Sequence, residues 1–476
     1  MIEHYLEKNL LRQLFLCGQF YVNKEVHLPT TATLLHVCQT TLLNDIKSLS
    51  RELSDQIIYQ SKEKETYSLY FAPTTSRFQL MQRLSRPSLF LKTCLLYLED
   101  EPDYIQLTEL EFISVSKAYA LKKQVLDYFQ ACDIAIEHHS PHFTDIERRL
   151  VLLNVSYRTG TLPDFSLPRS FDVQAQEFIQ AVTKKSGRIY DRDTQEILQT
   201  GFLISLFYQK DAPLSIDQSF IDEIKKRPIY HFVLAAWEES PFKQFFQPNE
   251  FYFILILFNL CDYGFDSYEA IEDDFAQLHQ VFIENNPETK QLIQRFEQHF
   301  DHPFLGNKAF ERALIRILRS AWKNYQLFLP EKFHLLTDEQ RELFEEVKRI
   351  VSDWSHALPY QLKINPNCLR SFVIELTGIL RLDKQKLTVR IVTNSDIKYL
   401  IYREALEAVT TCDISVEPVI YKQLSKEALD FVAASSNRLL CERTLYTPVA
   451  LSMEHVIPIS VETVEQAIIL LVKNSS

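Results

Sequence analysis

Two stretches near the start of the chain hold the side chains best suited to contact a polyanion. Over residues 39–53 the types Thr40, Thr41, Asn44, Lys47 and Ser48 share one side of a helical pattern. The other side is Leu42, Ile46, Leu49 and Leu53, spaced i, i+4, i+7 and i+11 as one buried face requires. Short hydroxyl side chains let a helix come close to base edges, an Asn carboxamide can pair with adenine, and a Lys ammonium meets phosphate or guanine. The second stretch is residues 114–129. Ser116, Lys117, Tyr119, Ala120, Lys122, Lys123 and Gln124 face outward there, against Ala118, Leu121, Val125 and Tyr128 or Phe129 on the inner face. Three lysines within seven residues suit phosphate neutralisation with salt-sensitive binding, and they mark this stretch as the stronger contributor.

The surrounding elements must hold these two helices outward. Thr30 or Thr31 is expected to cap a short helix through Val37, with the longer helix following from Gln39 to Leu53. Residues 57–71 then alternate apolar and polar side chains around a charged tip, Lys62–Glu65, which predicts a hairpin with Lys62 and Lys64 reaching for the backbone of a duplex. Helix, turn, helix and hairpin make a winged helix-turn-helix. The plan repeats downstream. Thr108 is expected to cap a helix through Phe112, and Ser114 or Ser116 the next. Ile134 and Ile136 make a short strand, the chain turns at His138–Ser140, and Thr144 caps a further helix.

Composition narrows the classes of function. The seven glycines are too scattered for GxGxxG or GxxxxGK[ST], so the two commonest glycine-rich phosphate cradles are excluded, and no GxSxG elbow occurs. No cofactor is expected, and the chain does not read as an enzyme. The eight cysteines form no CxxC pair, which excludes a zinc ribbon and suits a reduced, cytoplasmic setting. His138, His139 and His142 are the densest imidazole group, but neighbours on a strand point to opposite faces, so no metal site is expected. The opening residues MIEHYLEKNLLRQL are amphipathic and acidic, unlike a secretory leader. The apolar run from Phe251 to Cys261 is too short for ~30 Å of hydrocarbon, so it reads as a buried helix with no membrane partner. The net charge of −12 is uneven: residues 1–160 carry 17 Lys and Arg against 19 Asp and Glu, and the acid excess lies in the remainder. Screening over about 8–10 Å lets a small basic face act within an acidic chain.

A chain of 476 residues, at about 100–200 per domain, divides into three to five domains. The spacing predicts units at 1–72, 73–160, 171–283, 284–384 and 385–476, with the proline-framed stretch TLPDFSLPRS as the first main connection. The two middle units read as long helices with aromatic faces. From Leu387 the texture changes to alternating strands and helices: LTVRIVTN, CDISVEPVI, LDFVAAS and HVIPISV as strand candidates, and VETVEQAIILLVK as a closing helix. That order predicts a small α/β domain with a mostly parallel sheet on a multidomain, mainly α chain.

In order along the chain, MIEHYLEKNL, SVSKAYALKKQVLDYF, IERRLVLLNVSYRTG, EEVKRIVSDWSHALPYQL and LTVRIVTNSDIKYLI resemble the Mga/RofA-like stand-alone regulators of Gram-positive bacteria, with the anthrax toxin activator as a more distant relative. The resemblance implies tandem N-terminal winged helix-turn-helix units. Two helical domains like the phosphotransferase-system regulation domains (PRD-like) follow, then a C-terminal domain like the sugar-transport IIB component (IIB-like). It implies a homodimer or higher homo-oligomer that binds double-stranded promoter DNA of surface-adhesin and other virulence genes, with a phosphotransferase-system phosphocarrier as a further partner. The family's usual phosphoacceptor position falls on Ile256, Leu257 and Phe258, where no imidazole stands. His231, His279, His334 and His356 remain as candidate phosphoacceptors. After Val392, where a working IIB component carries its cysteine, this chain has Thr393, Asn394, Ser395 and Asp396, so phosphotransfer there is not expected; Cys412 reads as a small core residue. Two alternatives stand beside the regulator: a phosphotransfer-system protein, and an interaction scaffold that uses the same small folds without touching DNA.

Overall fold

The computed structural model describes residues 2–99, 102–161, 171–211, 213–330, 334–383, 386–408, 413–423, 425–432, 437–445 and 455–473. The chain is mainly helical and separates into two compact units, Met1–Phe372 and Val373–Ser476. The first four expected segments fall together in the larger unit, apart from the end of the fourth.

The larger unit opens with the helix Lys8–Asn23, stopped by Lys24 in a left-handed conformation. A short strand, Glu25–His27, leads into the helix Leu28–Leu34. That helix starts earlier than Thr30 and ends before Val37. Pro29 already has the helical φ, so His27 takes the capping position, and His36 turns to φ 52° and breaks the run. The helix Gln39–Glu52 then forms as its spacing demands: Leu42, Ile46, Leu49 and Leu53 are wholly buried. The hairpin Ile57–Glu63 and Thr66–Phe71 turns at Lys64–Glu65, and Glu25–His27 pairs on the far edge of Thr66–Phe71 to make three antiparallel strands.

After the helices Arg77–Ser85 and Leu89–Glu99 the plan recurs. The helix Tyr104–Glu111 is capped by Asp103, not Thr108; the Thr108 hydroxyl instead donates to the Ile105 carbonyl within the helix. A carboxylate accepts the Tyr104 N–H at 2.6 Å, and Phe112 ends the helix at φ 52°. Ser114 caps Val115–Ala131 by accepting from the Lys117 N–H. The second hairpin, Ala135–Glu137 with Ser140–His142, is shorter than the first; Ile134 lies buried just before it rather than in it. Thr144 and Glu147 form a reciprocal cap on Asp145–Thr159, which Gly160 closes at φ 64°.

One apolar core runs from Ile2 through both helix–helix–hairpin modules to Leu329. The helix Glu250–Leu260 is buried on every side, as its apolar run predicts. Gly201, on the helix Arg192–Asp211, lets it come close: a Cβ there would meet Leu257 Cδ1 at 2.0 Å. Farther on, Pro287–Phe300, Lys308–Ser320 and Pro366–Asp383 meet through a ring cluster of Phe296, Phe304, Phe310 and Phe372.

The smaller unit is a parallel four-stranded sheet, in spatial order Asp413–Tyr421, Lys386–Val392, Asn437–Glu442 and Val456–Ile459. Over its described residues, Leu429 to Val432, the expected strand in LDFVAAS is not formed. Its first residues end the helix Lys426–Phe431, which Ser425 caps, and the third sheet position goes to Asn437–Glu442, where the run Leu439, Leu440 and Cys441 suits a strand buried on both faces. The helix Asp396–Glu407 and the closing helix Val464–Lys473 pack beside each other. Cys412 lies outside the described residues.

Candidate nucleic-acid interface

On the Gln39–Glu52 helix the inner side chains anchor it. Asp45 is buried and takes the Arg12 guanidinium at 2.5 Å, which fixes the helix against Lys8–Asn23. The outer side is open: Thr40, Asn44, Lys47 and Ser48 are exposed, and Thr41 is half-buried with its hydroxyl 3.2 Å from Cys38 Sγ. Arg51 extends the stripe. It is exposed and lies seven residues after Asn44, a spacing that could have singled it out in the sequence. Lys62 and Lys64 are exposed on the hairpin beyond, and Lys64 sits in the turn at φ 45°.

The second module presents less than its sequence promises. Ser116, Lys117, Tyr119 and Lys123 are exposed. Lys122 is not a free outward lysine: its ammonium donates to the Pro102 carbonyl at 2.7 Å and lies 4.7 Å from the centre of the Tyr104 ring. Gln124 is half-buried, and its carboxamide donates to the Tyr5 carbonyl at 2.6 Å. Tyr119 stacks on Tyr104 with ring centres 3.9 Å apart. These three belong to internal contacts because Tyr104 and the first residues of the chain cover that side of the helix. The expectation that Lys122 and Gln124 face freely outward is corrected accordingly: of the three lysines, Lys117 and Lys123 remain extended to solvent.

His138 and His139 occupy the turn of the second hairpin at φ 51° and 68°, not adjacent strand positions, and His142, paired with Ala135, brings its Nε2 within 3.7 Å of the Glu137 carboxylate. No group of three metal-ligating side chains converges among the described residues.

The four candidate phosphoacceptors differ. His231 is exposed at the start of Tyr230–Glu239, packed edge-on against Tyr230. His356 turns Nδ1 to the Ser352 carbonyl at 2.7 Å. His334 is half-buried, and its carbonyl accepts from Arg370. His279 is the one held by a buried carboxylate: Nδ1 is 2.7 Å from Glu311 Oε2, and Nε2 lies 3.8 Å from Glu284. A carboxylate on one ring nitrogen fixes the tautomer and directs the other outward.

In the smaller unit the position after the first strand holds no thiol. Thr393 is buried and donates to Glu442 at 2.7 Å, and the Lys398 ammonium donates to the other carboxylate oxygen. Burial works against the charged Glu442, but the bonds from Lys398 and Thr393 outweigh it and hold its carboxyl below the usual range. The nearby Cys441 thiol is pushed up to about 11 by burial, which makes it a poor nucleophile.

No helix among the described residues is long and apolar enough to cross a membrane. Compared with known protein families and with curated proteins, the chain matches no family model and no curated protein.

Proposed function

We propose that this protein is a sequence-specific DNA-binding transcriptional regulator built on two N-terminal winged helix-turn-helix modules. The observation that carries the reading is the open polar stripe Thr40, Asn44, Lys47, Ser48 and Arg51, on a helix that follows a short helix and precedes a hairpin tipped with Lys62 and Lys64. Asn44 would address a base edge in the major groove, Lys47 and Arg51 the flanking phosphates, and the hairpin the neighbouring backbone. Lys117 and Lys123 add phosphate contacts from the second module.

A near-neutral N-terminal third binds DNA weakly as one copy, so the reading includes a homodimer or larger homo-oligomer. Exposed Ile397, Leu400, Ile401, Val461, Ile469 and Leu470, on neighbouring elements of the smaller unit, favour such pairing. The helical middle would act as PRD-like regulation domains, with His279 as the preferred acceptor from a phosphocarrier because Glu311 orients it. The smaller unit would serve as an IIB-like pairing domain without phosphotransfer of its own. The resemblance to Mga/RofA-like regulators extends the proposal to surface-adhesin and other virulence genes.

The test is genome-wide DNA binding by the intact chain beside N44A/K47E. The reading expects discrete promoter peaks for the first and their loss in the second, at equal protein abundance. Peaks that persist unchanged in N44A/K47E would refute this face as the reader, and absence of peaks for both would favour the scaffold.

A further inference from the structure

A second site of a different kind lies in the helical part of the larger unit. The helices Pro287–Phe300 and Asp338–His356 pack side by side, and a cleft of about 330 Å³ opens between them. Arg295, Gln298 and His299 line it from one helix, and Arg349, Ile350 and Asp353 from the other. The three- and four-residue spacings put each trio on one helical face.

The charges in this cleft are unevenly matched. His299 is committed: its Nε2 is 3.2 Å from Glu346 Oε2, and its ring stands edge-on to Phe300. Arg295 and Arg349 have no ion-pair partner within 4.0 Å among the described residues, although Asp353 lies in the same cleft. Most other arginines of the larger unit are tied to a carboxylate or a carbonyl: Arg12 to Asp45, Arg149 to Glu250, Arg158 to Glu3, Arg188 and Arg312 to Asp274. Two guanidiniums lining one cleft, one from each helix, offer planar forks that match phosphoryl oxygens. Gln298 and Asp353 offer acceptors for hydroxyl groups, and Ile350 an apolar floor. The cleft is a shallow groove open to solvent, with Gln298, His299, Arg349 and Asp353 exposed, and its volume matches a small ligand.

We propose that this cleft binds a small phosphomonoester whose carbon skeleton carries hydroxyls, with Arg295 and Arg349 on the phosphoryl group and Asp353 and Gln298 on the hydroxyls. A polyol monophosphate satisfies both halves of the cleft. Bare phosphate meets the arginines but leaves Asp353 as an uncompensated like charge. The proposal does not rest on the DNA reading, because binding is measured on the chain alone.

Isothermal titration of the full chain with glycerol 3-phosphate, inorganic phosphate and glycerol tests it. Glycerol 3-phosphate is expected to bind, inorganic phosphate more weakly, and glycerol not measurably. R295A and R349A are each expected to weaken glycerol 3-phosphate binding roughly ten-fold or more. The charge-preserving R295K/R349K is expected to retain part of it, at an unchanged melting temperature. D353N is expected to narrow the gap between the two phosphates by relieving the repulsion of the bare ion. Three results would overturn the site: no heat from glycerol 3-phosphate, equal affinity in R295A and R349A, or inorganic phosphate binding as tightly as the ester.

Discussion

The two N-terminal modules share a plan and differ in what they leave uncovered. Each has a short helix, a longer helix and a hairpin, although only the second module's longer helix is capped by a side chain, that of Ser114. In the first, one side of Gln39–Glu52 is sealed by leucines and the Arg12–Asp45 pair, and the other is bare. In the second, Tyr104 and Tyr5 take up Tyr119, Lys122 and Gln124, so that part of an apparently outward face is spent on packing. Their attachment to the helical middle differs too. The second module's closing helix enters it through Arg149 and Glu250, a pair buried on both sides at 2.7 Å. The first meets it through Glu3, which accepts from the Asn367 carboxamide at 2.6 Å, and, at its helix-turn-helix, by an exposed contact between Arg341 and His36 at 3.3 Å. Lysine density therefore measures how much of a helix is polar, and only the neighbours decide how much of that is available.

The strongest way to break this comparison is at the anchor. R149A would strand the buried Glu250 carboxylate without its partner, and a loss of about 3–5 kcal/mol is expected at neutral pH. Burial pushes the Glu250 carboxyl up, and the pair with Arg149 offsets only part of that. The R149A deficit should therefore shrink as pH falls and Glu250 takes up a proton. R341A should change stability by no more than about 0.5 kcal/mol. Denaturant unfolding of both variants checks this, and equal losses would erase the distinction between a buried and an exposed anchor.

Acid sharpens the same contrast at a second anchor. Glu3 is buried between Arg158, on the second module's closing helix, and the Asn367 carboxamide, which donates at 2.6 Å. Burial opposes its charge, but Arg158 and the other favourable interactions around the carboxylate together outweigh it and hold the carboxyl down from 4.5 to about 2. A depressed carboxyl stabilises the fold above its unfolded value and loses that contribution as pH falls through the folded one. The stability of the intact chain should exceed that of E3Q by about 3 kcal/mol above pH 5 and converge with it towards pH 2. A constant difference across that range would show that Glu3 acts through shape alone.

A smaller effect separates the two outer faces. In DNA titrations of the full chain, N44A is expected to cost about 1–3 kcal/mol and relax base preference. K123A should weaken all sequences alike and lower the salt slope by about one, while K122A should leave the slope unchanged, its ammonium being held over Tyr104. A slope that falls as much in K122A as in K123A would mean that Lys122 leaves its ring on binding.

Many of the buried faces are legible in the amino-acid sequence. Leu42, Ile46, Leu49 and Leu53 on one stripe, and Ala118, Leu121, Val125, Tyr128 and Phe129 on another, are all buried, because a helix repeats its faces at a fixed period. The hairpin at Lys62–Glu65, the buried run through Phe258 and the parallel strands from Leu387 follow from equally local patterns. Caps are less legible. Thr30, Thr31 and Thr108 are good capping types, but Pro29 and Asp103 stand nearby and start the helices earlier. LDFVAAS suits a strand by its residue types, yet Ser425 opens a helix ahead of it.

Periodicity alone thus settled which residues turn inward, since that depends on the spacing of apolar types along one element. Which polar residues stay available was decided by contacts between elements distant in the chain: Tyr104 over Lys122, Tyr5 against Gln124, Glu250 on Arg149, and the helix pairing that brings Arg295 and Arg349 into one cleft. A polar side chain costs little to leave in water and gains from any partner that reaches it, so its fate is set by where the rest of the fold places those partners.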